Sequence, residues 1–167
     1  MENNIKECLP LEKGIYLHFF LVDNNITINI RNTRIIITTG IYAYVGSSMG
    51  SGGIKARVVR HLRRRKKVYW HIDRITTSSA YTPLASIYAL TDTKYSEYIL
   101  SLLMYTSRCF TSVDKIGGSD NPYNIGHLFK CYTNDINVCI ECGIGALMGL
   151  GYTPRICIHS SHHENSS

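Results

Sequence analysis

The chain has 167 residues, 44% of them hydrophobic and 18% charged, with 18 Lys+Arg against 12 Asp+Glu and a formal charge of +6. That balance suits one compact domain with a real core and excludes wholesale disorder. No apolar run reaches the roughly 18–20 residues of a membrane span, and Met1-Glu2-Asn3-Asn4 does not read as the start of a secretory leader; a cytoplasmic protein without a membrane partner is expected, its cysteines thiols or metal ligands rather than disulfides.

Residues 1–13 read as a short arm closed by Pro10. Gly14 to Asp23 reads as a buried strand, and Asn24-Asn25 as a turn. Ile26, Ile28 and Ile30 alternate with Thr27, Asn29 and Arg31, the period of a half-buried strand. After Asn32-Thr33, Arg34 to Thr39 is a further Ile-rich strand that Ile41 to Gly46 continues past Gly40. Tight turns between these strands predict an antiparallel meander. Residues 47–53 form a Gly/Ser-rich loop, and Ile54 to about Arg65 reads as a helix with Ile54, Val58 and Leu62 on one stripe. Tyr69 to Ile75 is expected as a short helix and Leu84 to Leu90 as a strand. Thr91 or Thr93 would cap a helix to about Tyr105, with Tyr98, Leu102 and Tyr105 on one face. Short strands follow at 110–113 and 128–132, and Asn134 or Asp135 would cap a last helix to about Leu150, stopped by Gly151 and Pro154. Mixed strands and helices, with the first strands linked as hairpins, give the α+β class: a small, mainly antiparallel sheet flanked by helices, with a C-terminal helical extension.

The charge is concentrated. Nine of the eighteen basic residues lie between Lys55 and Arg74, with Asp73 the one acid among them. Such a segment suits a polyanion, although a charge run is as often a solvated helix face. The glycine-rich loop before it is no P-loop, since no Lys-Ser/Thr pair follows, and reads more simply as a flexible loop than as a phosphate cradle. Arg57 and His61, four apart, share a helix face with Arg60 beside them. A guanidinium forks onto two phosphate oxygens, and an imidazole titrates near neutrality. Tyr16, early in the first strand, and Tyr44, late in the third, would converge beside that helix if their strands pair. A phenol is a poor base near its ordinary pKa of about 10, unless cations or a metal-bound water lower it.

Gly14-Ile15-Tyr16, Tyr44-Val45-Gly46-Ser47, and Arg57 and His61 on the next helix together resemble the GIY-YIG nuclease superfamily. GIYAYVGSS at 40–48, the spacing from Gly52 to His61, YWHID at 69–73, and Gly118-Ser119-Asp120 followed by His127-Leu128-Phe129 resemble its DUF123 branch more closely. The resemblance covers about residues 14–130. It implies a small sheet flanked by helices and hydrolysis of a DNA phosphodiester with one divalent ion, Mg²⁺ or Mn²⁺. Carried onto this chain, it implies Tyr44 as general base or water-positioning group, Tyr16 assisting that water or touching phosphate, and Arg57 stabilising the pentacovalent phosphate. It further implies His61 as proton shuttle or phosphate contact and Glu97 as the metal ligand. Lys55, Arg60, Arg63, Arg64, Arg65, Lys66 and Lys67 would hold the DNA backbone, branched or single-stranded, in work linked to repair or recombination. One departure is the distance between the tyrosines: 27 residues lie between Tyr16 and Tyr44, most simply an added hairpin or strand over Ile26–Thr39. Asn121 or Asn124 would match a supporting Asn of some relatives. A non-catalytic nucleic-acid-binding module retaining the fold is the competing expectation.

This divides the chain into an arm (1–13), a nuclease-like domain (14–132) and a C-terminal extension (133–167). In the extension, Cys139, Cys142, Cys157 and His159, with His162-His163 nearby, have the chemistry of a zinc site, yet one CxxC within a predicted helix favours buried thiols. Its glycines would let the helix pack closely on the domain or on a second copy.

Overall fold

The structure, a computed structural model, describes residues 7–30, 32–113, 116–117 and 125–159. Its strands are β1 (Gly14–Val22), β2 (Ile26–Ile30), β3 (Thr33–Ile37), β4 (Gly40–Ser48), β5 (Tyr81–Leu90), β6 (Phe110–Ser112), β7 (Leu128–Cys131) and β8 (Arg155–Ile158). Its helices are α1 (Gly53–Leu62), α2 (Asp73–Thr76), α3 (Ser96–Thr106) and α4 (Ile136–Gly149). Six strands form one antiparallel sheet in the order β6-β7-β4-β1-β5-β8. The α+β class holds, with helices on both faces.

The expected meander is corrected. β1 pairs directly with β4, Tyr16 opposite Gly46 and His18 opposite Tyr44. Among the described residues β2 and β3 pair only with each other, as a hairpin inserted between them. The reason lies in the hydrophobic pattern. β1 is apolar on both faces, as a strand covered on both sides must be, whereas β2 alternates and can bury one face alone.

Strand period two sorts the core into two halves. Ile15, Leu17 and Phe19 of β1 point to one face, where they meet Leu100 and Met104 of α3 and Cys139, Ile140 and Leu147 of α4. On the other face Phe20 and Val22 meet Ile75 of α2, Ile72 just before it and the isoleucines of the hairpin, and Tyr16 meets Ile54 and Val58 of α1. On α3 the expected face is turned outward: Leu102 and Tyr105 are exposed, and Leu100 and Met104 carry the burial. Tyr95, not a threonine, precedes its first turn, and no side chain caps it. Asp135 does cap α4, its carboxylate accepting from the Asn137 amide at 2.9 Å. Gly143 of α4 lies against Ile87, Leu17 and Phe19, where a Cβ would have no room, so this helix packs closely onto the sheet. Residues 133–159 thus continue the same core and, through β8, the same sheet.

Residues 8–12 of the arm pack into the fold. The carbonyls of Glu12 and Pro10 accept from the first α1 amides, Ile54 at 3.0 Å and Lys55 at 2.9 Å. These amides, normally open at a helix start, are therefore not offered to an anion. The expectation of free thiols is also corrected. Cys8 is bonded to Cys157 and Cys109 to Cys142, with Cα–Cα distances of 5.6 and 6.4 Å, because the arm runs beside β8 and α4 runs beside the start of β6. Cys131 and Cys139 remain as buried free cysteines. Among the described residues no helix is long and apolar enough to cross a membrane.

Candidate functional site

Pairing of β1 with β4 puts Tyr16 and Tyr44 on the face that α1 covers. Tyr16 crosses directly over Gly46, where any Cβ would run into its ring and hydroxyl. One helical turn along α1 brings Arg57 and His61 to the same place. The first turn of α3 reaches the end of β4, so that Glu97 accepts from the Ser47 hydroxyl at 2.6 Å. Tyr16, Tyr44, Arg57, His61 and Glu97 all line one open cleft of about 510 Å³, together with Ser47, Tyr69, Trp70, His71 and His127.

The centre of the cleft is a buried contact: the Tyr16 hydroxyl lies 2.8 Å from Nε2 of His61. Either the phenol donates to Nε2 or Nε2–H donates to the phenol, according to the tautomer. The Tyr44 ring meets His61 edge-on, with centroids 5.5 Å apart. His61 Nδ1 is buried without a protein partner among the described residues. Burial, helped by Lys66, pushes the His61 pKa down to about 3, so the ring is neutral at physiological pH. Burial pushes both phenols up, and the Glu97 charge adds to this more than Arg57 offsets it at Tyr44. Arg57 does lower the Tyr44 phenol, but desolvation outweighs it.

Glu97 behaves oppositely. Burial raises its pKa, but hydrogen bonding and charge from His127, the Ser47 hydroxyl and Arg57 outweigh it and hold the carboxyl below its ordinary value. His127 Nδ1 lies 3.3 Å from Glu97 Oε1. A carboxylate has about four lone-pair sites, so Glu97 can serve both neighbours and still face the cleft. One carboxylate in an open polar cleft suits a hard cation that keeps most of its waters. Among the described residues no cluster of three or more potential ligands exists, and Glu97 is the carboxylate lining the cleft.

Behind the site lies a buried polar layer that sequence reasoning missed. His18 stacks on His61 at 5.3 Å and bonds Tyr81 through Nε2 at 2.7 Å and Ser86 through Nδ1 at 2.9 Å. Ser86 in turn meets His159 Nε2 at 2.8 Å. The available signal was the phase of β1, since His18 shares the face of Tyr16.

The basic segment is divided. α1 ends at Leu62, so Arg63 to Lys67 lie in the turn beyond it rather than on the helix. Lys66 is not a surface cation: its side chain is 4% exposed, its ammonium 3.5 Å from Asp73 Oδ1 and donating to Thr76 at 2.6 Å. Arg60 donates to Asp73 at 2.5 Å and to the Lys67 carbonyl at 2.8 Å. Arg64 donates to the Tyr81 carbonyl at 2.9 Å. Arg63, Arg65 and Lys67 are exposed, and Lys55 is half-buried. Trp70 carries two guanidiniums, Arg57 at 4.4 Å and Arg60 at 4.6 Å from its ring centroid.

The four residues named for zinc are not gathered. Cys142 and Cys157 sit in different disulfides, Cys139 adjoins Cys131, and His159 is bonded to Ser86. Gly118-Ser119-Asp120, Asn121, Asn124, His162 and His163 lie outside the described residues.

No curated protein and no solved structure matches the chain. The family model of DUF123, a domain of unknown function, matches residues 15–148, a span from the first strand through the last helix that takes in every residue of the cleft. The chain belongs to the DUF123 family.

Proposed function

We propose that the cleft hydrolyses a DNA phosphodiester in the manner of the GIY-YIG nucleases that the chain resembles. The observation that carries this reading is the convergence of Tyr16, Tyr44, Arg57, His61 and Glu97, from four elements, on one cleft. Arg57 faces the scissile phosphate and neutralises charge as the pentacovalent state develops. With their pKa values pushed up, Tyr16 and Tyr44 keep their protons; they orient the attacking water and a phosphate oxygen rather than act as bases. Neutral His61 fixes the Tyr16 hydroxyl. Glu97 would hold a Mg²⁺ or Mn²⁺ ion, which when bound supplies a Lewis acid and a water of lowered pKa. Exposed Arg63, Arg65 and Lys67 contribute sequence-independent, salt-sensitive backbone contacts.

The test is cleavage of labelled branched and single-stranded DNA with Mg²⁺ or Mn²⁺ by wild type, Glu97→Ala and Arg57→Ala. Wild type is expected to cut and both variants to lose at least a hundredfold, the scale of one transition-state contact. Equal cutting by all three overturns the assignment. The second reading, a binding module without catalysis, is favoured by the raised phenols and the neutral His61, which leave these three residues without a base for neutral pH. Tight binding without cutting in any metal would establish it.

A further inference from the structure

Beyond α1 the chain reads Arg-Arg-Arg-Lys-Lys-Val-Tyr-Trp over residues 63–70, cations running into two aromatics. Tyr69 lines the cleft and is 66% exposed. An exposed ring of that size is not explained by packing. Nor is it loosely held. Asp73, fully buried, accepts from the amides of both Tyr69 and Trp70 at 3.0 Å through one carboxylate oxygen. The same carboxylate is bound by Arg60 and Lys66. A buried acid with two cations thus fixes the backbone that holds the Tyr69 ring out into solvent. Trp70, next to it, is occupied by Arg57 and Arg60. The Tyr69 ring has the Arg60 guanidinium and the Lys67 ammonium each 5.3 Å from its centroid. Arg60 is anchored to Asp73, whereas Lys67 is exposed and able to swing toward an incoming anion.

An exposed aromatic on an anchored backbone, flanked by two cations and beside an arginine that lines the cleft, matches one ligand chemistry: a flat apolar base linked to phosphates. A cationic or neutral apolar partner would meet the wrong field. We infer that Tyr69 is the stacking surface for an unpaired nucleobase, with the adjoining phosphate directed toward Arg57, so that the cleft takes single-stranded or locally unpaired nucleic acid in preference to intact duplex. This rests on the nucleic-acid reading of the cleft and adds its substrate class. A phenol ring stacks on any base, but a duplex keeps its bases in its own stack and offers them only by unpairing.

Binding of the full chain to a labelled oligothymidine and to a duplex of equal length, by fluorescence anisotropy in EDTA at one fixed salt concentration, tests this. Wild type should bind the single strand tighter than the duplex. Tyr69→Ala and Tyr69→Leu should each lose roughly five- to a hundredfold on the single strand and little on the duplex. Tyr69→Phe, which keeps the ring, should bind like wild type. Thermal melts of the variants should match wild type, since the side chain is exposed. Equal affinity of wild type for both ligands, unchanged single-strand binding by Tyr69→Ala and Tyr69→Leu, or a Tyr69→Phe defect as large as theirs overturns the inference. Because EDTA removes catalysis, the outcomes separate. Binding as stated without cutting in any metal sinks the nuclease and leaves the stacking site. Cutting that ignores both strandedness and Tyr69 does the reverse.

Discussion

The Tyr16 hydroxyl and Nε2 of His61 meet at 2.8 Å across 45 positions of sequence, both side chains buried between β1 and α1. This contact ties the strand phase to the helix phase. A shift of one residue in either element would turn a phenol or an imidazole into the core and leave its partner unsatisfied. Removing the hydroxyl alone isolates its contribution. Tyr16→Phe leaves a buried imidazole nitrogen unpaired and should cost about 1–3 kcal/mol, read from urea midpoints at pH 7. An unchanged midpoint would show that the contact does not form in solution.

Gly46 should tolerate no side chain. Its Cβ position is occupied by the Tyr16 ring, and that ring is buried against Ile54 and Val58 with nowhere to yield. Gly46→Ala should therefore displace Tyr16 from His61 and lower stability by about 1–3 kcal/mol, the usual cost of overpacking. Gly145→Ala, on open helix surface, is the control and should be neutral or slightly stabilising. Paired thermal melts distinguish them.

Stability should fall with acid well before the carboxylates titrate. His61 has its pKa pushed down to about 3, His159 to about 4, and His18 lies well below its ordinary value, each first because of burial. Unfolded histidines bind protons near pH 6.5, and the native ones do not until far lower. Between those values the unfolded state holds more protons, so stability drops as pH falls below about 6.5. Each histidine contributes up to about 1.4 kcal/mol per pH unit, levelling off for His159 near 4 and for His61 near 3. Asp73 and Glu97, depressed acids, add their losses only as pH drops through and below about 4. Urea midpoints at pH 7, 6 and 5 read the first window. A flat profile there would mean that the imidazoles are solvated.

Asp73 is the anchor of the basic segment. Asp73→Ala strands Lys66 and Arg60 without their counter-ion and frees the amides of Tyr69 and Trp70. Losing one member of a buried charge cluster should cost about 3 kcal/mol or more. A smaller loss, with unchanged Trp70 fluorescence, would mean the cluster is wet and weak.

The cysteines give a direct count. Under denaturing, non-reducing conditions two thiols, Cys131 and Cys139, should react with a thiol reagent, and six after reduction. The Cys8–Cys157 bridge spans 149 positions and ties the arm to β8, so Cys157→Ser should lower stability by about 2–5 kcal/mol. Six reactive thiols before reduction would remove both bridges.

Much of the architecture was legible in residue order. Period-two isoleucines marked β2, an unbroken apolar run marked β1, and Asn134 or Asp135 marked the start of α4, because each is a local signal read over a few residues. The motif positions Tyr16, Tyr44, Arg57, His61 and Glu97 were also nameable as a set. What period and spacing cannot carry is which strand lies beside which. The inserted hairpin left β1 free to pair with β4, and the outward face of α3 depended on which of its two apolar stripes the sheet would cover.

Linear order therefore determined most of the elements, the buried face of β2 and the candidate side chains, since hydrophobic period and capping act within a turn or a strand. Only packing decided the rest. It placed Lys66 in an internal ion pair and Lys67 in solvent, though they are adjacent in sequence. It joined Cys8 to Cys157 and set His18 behind His61. Desolvation and ion pairing depend on which distant groups share a volume from which water has been excluded, and that volume exists only once the sheet has closed against its helices.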